Sequence, residues 1–335
     1  MTVTKHIELS VYQANLQNIV KEMSPARVMA VIKADGYGHG LIETARAASE
    51  VGIDFLGVLD IETGLAIRKA GIETPAFAWL HSPDSDFGAA VFTGIELSVG
   101  SMFELETIAK TAGRAQVHLK IDTGLSRNGC RPELWVSLVT RAMELQAQGE
   151  IDVVAIWSHL SGTSHSDDSI ALGKFEDATT QALTLGFSGY RHIASSPAAF
   201  AIPESRFDVV RIGVSAFGTS PIEGTSAASL GLGAPMAVFA EVLSPGIISI
   251  GFLHGYFSKL AGIAHVEIDG RKYKVEKIGP LASQIEMGDY EAGAKVTIFD
   301  AGLNLAESAE SLCDKVGTVT DELFTGLKAN LTTYA

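Results

Sequence analysis

The feature that most constrains this chain is a regular alternation of short apolar runs with amphipathic stretches over its first two-thirds. Eight apolar runs, several of them rich in β-branched residues, are candidate strands, at residues 28–32, 55–59, 76–80, 95–99, 117–121, 153–157, 191–194 and 209–212. Most are separated by stretches with apolar residues three and four apart, at 61–70, 103–112, 134–145 and 170–185, as in a helix with one buried face. Strands that alternate with helices pair in parallel, and eight such units form a (β/α)₈ barrel. We therefore predict an α/β chain with a TIM-type barrel over residues 1–225. An open doubly wound sheet is the alternative, although no Gly-x-Gly-x-x-Gly follows the first strand.

The pattern changes after Pro221. A linker rich in small residues, 222–235, leads to apolar runs at 236–243, 247–250, 265–268, 273–278 and 295–299. Asp269 and Gly270 stand between two of these runs, which is a strong hairpin signal. We predict a smaller, mainly β domain over residues 226–335, in which the tail 319–331 forms a short helix followed by a strand.

Charge and cysteine content exclude several classes of protein. The chain has 39 acidic and 25 basic residues, a formal net charge of −14. Binding to nucleic acid or to an anionic membrane would require clustered Lys and Arg, so neither partner is expected. Two cysteines, Cys130 and Cys313, are too few for a disulfide framework or a multi-cysteine metal site. Because no apolar run reaches membrane-spanning length and the start lacks a signal-peptide pattern, we expect a cytoplasmic protein.

Polar residues stand where the predicted barrel strands end, which is where the functional groups of such barrels lie. The candidates along the chain are Lys33, Lys120, Arg127, Ser158, His159, Ser195, Ser196, Arg211 and Gly213. Burial of Lys33 at the end of an apolar strand would lower its pKa and make it a competent amine nucleophile. The alternatives are that Lys33 extends to the rim or pairs with Asp35.

The residues around these strand ends suggest a cradle for an anion. Glycines beside Lys33 and at Gly213 let backbone N–H groups approach closely, and Tyr37 and Ser196 add hydroxyl donors. A lysine amine, an anion cradle and a cationic donor together suggest pyridoxal phosphate held as a Schiff base. His159 suits stacking on a flat cofactor ring, with a buried core imidazole or a metal ligand as alternatives. No second histidine or acid stands at ligand spacing, so no metal is expected.

Two segments resemble the signatures of the alanine racemase family. Residues 31–40 (VIKADGYGHG) resemble its cofactor-lysine motif, and residues 118–129 (HLKIDTGLSRNG) resemble its second signature. The similarity continues through residues 210–218 (VRIGVSAFG) and spans about residues 5 to 221. The resemblance implies a fold-type III pyridoxal-phosphate enzyme that racemises an amino acid and so produces D-amino acids, with alanine as the default substrate.

The resemblance also implies roles for individual residues. Lys33 would form the Schiff base and act as one of two acid/base groups at the substrate Cα. The phosphate would be held by Tyr37, Ser196 and the backbone of Gly213 and Val214.

Other residues would surround the cofactor ring. His159 would lie against the pyridine, and Arg211 would face its nitrogen and keep it unprotonated, which favours proton exchange over transamination. Arg127 would contact the cofactor's phenolic oxygen or the substrate carboxylate. Lys120 matches a lysine that is often carbamylated in the family and orients that arginine. An ordinary lysine paired with Asp122 is the alternative.

The C-terminal part departs from the family pattern at the second acid/base group. The family supplies a tyrosine from the partner subunit's small domain, just before a Gly-Tyr-x-Asp-Gly-Tyr-like motif. Here the nearest match to that motif is residues 251–256 (GFLHGY), and the segment from Met236 to Phe252 contains no tyrosine. The remaining candidates are His254, Tyr273 and Tyr256, of which we select Tyr256.

The resemblance further implies a homodimer in which each small domain covers the other barrel's mouth. Because the segment with the second tyrosine is missing, two alternatives to an alanine-type racemase stay open. One is another fold-type III activity, such as racemisation of a different amino acid, decarboxylation or aldol cleavage. The other is a protein that binds pyridoxal phosphate with little catalysis.

Overall fold

The computed structural model describes residues 2–301 and 306–335. Strand β1 (Thr4–Ile7) opens the chain, and eight parallel strands follow: β2 (Arg27–Val31), β3 (Phe55–Val58), β4 (Ala76–Ala78), β5 (Ile95–Val99), β6 (Ala115–Lys120), β7 (Ile151–Trp157), β8 (Tyr190–His192) and β9 (Val209–Ile212). These eight form one sheet in the order β8-β7-β6-β5-β4-β3-β2-β9. The edge strands β8 and β9 approach each other: the backbone N–H of Arg211, in β9, donates to the carbonyl oxygen of Ala194, just after β8, at 3.1 Å. The predicted TIM-type barrel is confirmed, and each predicted strand overlaps an observed one.

Helices surround the barrel, and four of them begin at a side chain that caps the first turn. They span Leu9–Met23, Leu41–Glu50, Ile61–Lys69, Phe87–Phe92, Met102–Ala109, Pro132–Gln148, His165–Thr184 and Ser196–Ala201. The Ser101 hydroxyl accepts the Glu104 N–H at 3.2 Å and the Ser164 hydroxyl accepts the Asp167 N–H at 3.0 Å, which satisfies donors that a helix start leaves free. The four predicted helices all exist.

The barrel interior is packed with side chains rather than hollow. Met29, Phe55, Phe77, Trp157 and Val209 form one buried cluster there. Strand residues alternate between the interior and the helices, so every second residue of a strand faces the barrel axis. A cavity lies beyond this packed interior, at the carboxyl ends of the strands.

The second sheet is mainly antiparallel and lies in the C-terminal part, as predicted. Its further strands are β10 (Met236–Ser244), β11 (Ile247–Ile248), β12 (His265–Ile268), β13 (Arg271–Ile278), β14 (Ser283–Ile285), β15 (Lys295–Asp300), β16 (Glu307–Ser308) and β17 (Leu331–Tyr334), with helices Ala309–Val316 and Thr320–Gly326. β15 pairs with both β12 and β10, so the strands from β10 to β15 close into a ring. Asp269 and Gly270, with φ of 48° and 75°, make the predicted turn between β12 and β13.

The first strand departs from the predicted division of the chain at residue 225. β1 pairs antiparallel with β10 and parallel with β17, so it belongs to the second sheet although it precedes the barrel. The described start and end of the chain therefore lie side by side. A pairing across more than 300 residues leaves no local signal in the sequence. Over the described ranges, no helix combines the length and apolarity that a bilayer crossing requires.

Candidate active site

A cavity of about 530 Å³ opens at the carboxyl ends of the barrel strands. It brings together every site residue selected from the sequence except Tyr256: Lys33, Tyr37, Lys120, Arg127, His159, Ser196, Arg211, Gly213 and Val214. Sequence reasoning missed the apolar part of the lining, which includes Trp79, Leu80 and Trp157. The strand register decides which residues of a strand point into the barrel. The pattern of a single sequence does not give the register, so these apolar residues could not be assigned to the lining.

The chain leaves β2 at Lys33 through a left-handed turn. Ala34, Asp35, Gly36 and Tyr37 all have φ between 51° and 60°, a conformation that costs roughly 1–2 kcal/mol for each residue other than glycine. The turn is held by His39, whose Nδ1 lies 2.9 Å from the Tyr37 carbonyl oxygen. The Asp35 carboxylate accepts the Leu41 N–H at 2.7 Å, and no ion pair joins it to Lys33 in the described structure. This strained segment presents both Lys33 and Tyr37 to the cavity.

An anion cradle lies where β9 ends. The Gly213 N–H donates to the Ser196 hydroxyl oxygen at 3.1 Å. A Cβ on Gly213 would lie 2.4 Å from the Tyr37 hydroxyl oxygen, so only glycine leaves room for this tyrosine. Two hydroxyl groups and a bare backbone therefore converge beside Val214, which begins a short 3-10 helix. Such a concave set of donors suits a phosphate group.

Lys120 is the last residue of β6, and Arg127 lies in the loop that follows this strand. The Asp122 carboxylate accepts the N–H groups of Gly124 and Ser126 at 2.9 and 3.0 Å, so it shapes the loop and does not pair with Lys120. The Lys120 amine donates to the Asn128 side chain and lies 4.0 Å from the centre of the Trp157 ring. Burial, then repulsion from Arg211 and Arg127, lowers the pKa of Lys120 to about 7.

Arg211 is buried, at 5% exposure, and lines the cavity. Its NH2 nitrogen donates to the carbonyl oxygens of Ser158 and Ile193 and to His159 Nδ1, at 3.0–3.1 Å. Its NH1 nitrogen donates to His192 Nδ1 at 3.0 Å. Burial lowers the pKa of Arg211 to about 9, and burial followed by the nearby cations lowers the pKa of His159 to about 2. His159 is therefore a neutral imidazole, which suits stacking on an electron-poor ring.

The cavity carries an excess of positive charge. Four of its lining residues, Lys33, Lys120, Arg127 and Arg211, are basic, and none of the described residues that line it is acidic. Burying like charges together is costly unless an anion binds between them. A lysine amine, a phosphate-sized cradle, a neutral imidazole and a deeply held guanidinium fit pyridoxal phosphate in both charge and hydrogen-bonding capacity.

The C-terminal domain braces the rim of this cavity within the same chain. The Thr320 hydroxyl lies 2.8 Å from the Thr219 hydroxyl, and the Ser220 N–H donates to the Glu310 carboxylate at 2.6 Å. Asp321 interacts electrostatically with Lys33 and Tyr37, and burial raises the pKa of its carboxyl group while Lys33 opposes the shift. Sequence reasoning missed this acid, because its approach to Lys33 depends on the packing of helix Thr320–Gly326 against the left-handed turn.

Tyr256, selected from the sequence as the second acid/base group, lies away from the cavity. It is 1% exposed in the core of the C-terminal domain, and its hydroxyl group has no hydrogen-bond partner among the described residues. Tyr273, another candidate, packs edge-on against Tyr290 at 4.8 Å. His254 Nδ1 accepts the Gly251 N–H at 3.1 Å. None of the three candidates lines the cavity of its own chain.

The barrel, the small β domain and the lysine-bearing cationic cavity define a class, the fold-type III amino-acid racemases. Comparison with known proteins makes the assignment specific. The family profile described as "Alanine racemase, N-terminal domain" matches residues 7–221. The chain belongs to the alanine racemase family, whose members depend on pyridoxal phosphate.

Individual relatives are similar over nearly the whole chain. The alanine racemase of Salinispora arenicola is 33% identical, over 90% of both chains. The alanine racemase of Frankia casuarinae is 32% identical, over 97% of this chain and 94% of its own length. The crystal structure of alanine racemase from a D-cycloserine-producing Streptomyces lavendulae superimposes with a TM-score of 0.94 at 30% identity, covering 100% of this chain and 97% of that one.

Proposed function

We propose that the protein binds pyridoxal 5′-phosphate at this cavity through Lys33 and racemises alanine. The observation that carries the proposal is the convergence of Lys33 with an anion cradle inside a cavity whose charged described lining residues are all basic. Alanine is the substrate named for the relatives that span nearly the whole chain. Pyridoxal phosphate, when bound, supplies an electron sink that makes a substrate Cα proton acidic.

The residues of this chain would act on the substrate and cofactor from fixed positions. Lys33, held by the left-handed turn, would take or return a proton at Cα on one face. Tyr37, Ser196 and the N–H groups at Gly213 and Val214 would bind the phosphate. Arg211 would donate an N–H to the ring nitrogen, because its NH2 group and one N–H of NH1 are engaged with protein acceptors while further N–H donors of the guanidinium are available.

Lys120 and Arg127 would position the substrate end of the site. Because the pKa of Lys120 is lowered to about 7, its amine is largely unprotonated just above neutrality. An unprotonated amine adds to the carbon of CO₂ and loses a proton, which forms a carbamate. That anion would offset the neighbouring guanidinium groups and orient Arg127, as the family resemblance implies.

Racemisation also requires an acid/base group on the second face of the substrate. Among the described residues that line the cavity, Tyr37 is the only tyrosine, and it is assigned to the phosphate. We propose a homodimer in which a second copy covers the cavity mouth and limits water there. The mouth includes Leu80, which is 50% exposed. Loss of one acid/base group lowers a rate by about 10²–10⁴-fold, so racemisation would be slow in one step but not abolished.

Reductive trapping tests the cofactor assignment. Holo-protein reduced with borohydride and digested should yield one peptide that carries pyridoxal phosphate, and fragmentation should place it on Lys33. Attachment at another lysine, or equal labelling of Lys33→Ala, would contradict the proposal. Incubation with L-alanine should produce D-alanine in parallel, which tests the substrate.

A further inference from the structure

A chain of hydrogen bonds crosses the barrel interior beneath the cavity and ends at Arg211. Arg211 NH1 lies 3.0 Å from His192 Nδ1, His192 Nε2 lies 2.9 Å from His118 Nδ1, and His118 Nε2 lies 2.7 Å from a Glu96 carboxylate oxygen. The four residues come from β9, β8, β6 and β5, and each is at most 8% exposed. We call these four residues the interior relay.

The chemistry of the two ends gives the relay one direction. A guanidinium can only donate hydrogen bonds, and a carboxylate can only accept them. His192 must therefore accept from Arg211 at Nδ1 and donate from Nε2, and His118 must in turn accept at Nδ1 and donate from Nε2 to Glu96. Both imidazoles are thus neutral and carry hydrogen on Nε2. A cationic His118 would place a donor against His192 Nε2 and force a second donor to face Arg211.

Aromatic packing keeps both imidazole rings in this arrangement. Phe77 stacks on His118 with ring centres 4.0 Å apart and an interplanar angle of 15°. Trp157 stacks on His192 at 5.6 Å and 13°, and the Trp157 indole N–H donates to the Ser98 hydroxyl oxygen at 3.1 Å. Stacking fixes the plane of each ring, and a 180° ring flip within that plane would break two hydrogen bonds at once. In a buried setting, each broken bond leaves a costly unsatisfied group.

We propose that Glu96 is a positioning residue for the racemase reaction, because it terminates the interior relay and so holds Arg211 where one N–H faces the cofactor's ring nitrogen. The inference rests on the proposed function, since it takes Arg211 to be the partner of that nitrogen. Glu96 touches neither cavity nor substrate and acts only through His118 and His192. Without an acceptor at position 96, the His118 Nε2–H is buried and unpaired. Two changes could relieve this unpaired N–H. Either the histidines carry hydrogen on Nδ1 instead, which places an N–H donor against Arg211, or a water molecule enters the barrel interior.

Two substitutions separate the acceptor from its charge. Glu96→Leu removes the acceptor, whereas Glu96→Gln keeps an amide oxygen that still accepts from His118 Nε2. Long-range ¹H–¹⁵N correlation spectra of the apo-protein report which ring nitrogen of His118 and His192 carries hydrogen. We expect the Nε2–H form for both histidines in the parent protein and in Glu96→Gln. In Glu96→Leu we expect a mixture of tautomers.

Activity should follow the same order. Glu96→Leu should slow exchange of the alanine Cα proton about 10- to 100-fold, by analogy with the range found when a metal-ligating histidine loses its outer hydrogen-bond partner. Glu96→Gln should retain most of the rate, and Glu106→Leu, which removes a partly exposed carboxylate paired with Arg141, serves as the control. The proposal is overturned if either histidine of the parent carries hydrogen on Nδ1, or if Glu96→Leu keeps both tautomers and the parent rate.

The two readouts keep this proposal separate from the proposed function. If the parent protein exchanges no Cα proton, the racemase assignment fails, while the apo-protein spectra still decide whether the interior relay runs from Arg211 to Glu96. If exchange occurs and the spectra contradict the relay, only the role of Glu96 is lost.

Discussion

Replacing Lys120 by methionine tests the charge balance of the cavity in the absence of cofactor. In the folded protein the pKa of Lys120 is lowered to about 7, from an ordinary value of 10.5, by burial and then by two arginines. Between pH 7 and pH 10.5 the Lys120 amine is therefore protonated in the unfolded chain and unprotonated in the folded chain. The free energy of unfolding of the parent protein therefore rises as the pH increases from 7 to 10.5.

The magnitude follows from that interval. Each pH unit over which only the unfolded chain is protonated is worth about 1.4 kcal/mol. The charged Lys120 thus destabilises the apo-protein by roughly 5 kcal/mol at most below neutrality, and by little near pH 10.5. Methionine keeps the length of the side chain and its packing against Trp157 but carries no charge. Lys120→Met should therefore be more stable than the parent at about pH 6, and its advantage should shrink steadily above pH 7.

Urea unfolding followed by circular dichroism measures this difference. The buffers should lack phosphate and sulfate, which would bind the cavity and mask the repulsion, and should be free of CO₂, so that Lys120 stays a free amine. The lost hydrogen bond to Asn128 costs the variant a similar amount at every pH, so the slope of the stability difference isolates the charge. Lys110→Met, at an exposed lysine, controls for general effects of charge. A stability difference that stays constant from pH 7 to pH 10 would refute the reasoning.

Two further substitutions test the phosphate cradle and the second acid/base group. Gly213→Ala should weaken pyridoxal phosphate binding roughly 10- to 100-fold in equilibrium dialysis, because the new Cβ displaces the Tyr37 hydroxyl and one charge-assisted hydrogen bond is lost. Tyr37→Phe should weaken binding by a similar factor, and the double variant should bind little more weakly than either single variant. If the two losses add instead, Gly213 and Tyr37 act separately. Tyr256→Phe should leave racemisation unchanged in both directions. It should raise the free energy of unfolding by about 1 kcal/mol, because it removes a buried hydroxyl group that has no partner among the described residues. A slower rate in one direction would instead restore Tyr256 as an acid/base group.

The sequence predicts local features of this protein well and long-range ones poorly. The barrel strands are recoverable because each overlaps a short apolar run, and most of these runs are separated by stretches with helical periodicity. The residues of the cavity are recoverable because they lie at the ends of those runs or follow them directly, as Lys33 and Gly213 do. Strand β1 is not, because its partners lie more than 200 residues away and the run itself is polar.

The interior relay was equally hidden from sequence reasoning. Glu96, His118 and His192 each sit inside a strand where a polar residue looks like an interruption. Their meaning depends on strand register, which places three such residues in contact. Tyr256 shows the converse error: a tyrosine near a motif resembles a catalytic group, yet tertiary packing encloses its hydroxyl group in a core.

Exchange of the alanine Cα proton with solvent is the most direct test that Lys33 acts as the base in a pyridoxal-phosphate racemase. Purified holo-protein in D₂O would be incubated separately with L-alanine and D-alanine, and deuterium at Cα and the enantiomeric composition would be measured over time. We predict deuterium at Cα and formation of the opposite enantiomer, with exchange of one enantiomer faster than its inversion by about 10²-fold or more because Lys33 serves one face. Lys33→Ala should abolish both. Absence of deuterium from both enantiomers with intact holo-protein, or undiminished exchange in Lys33→Ala, would contradict the assignment.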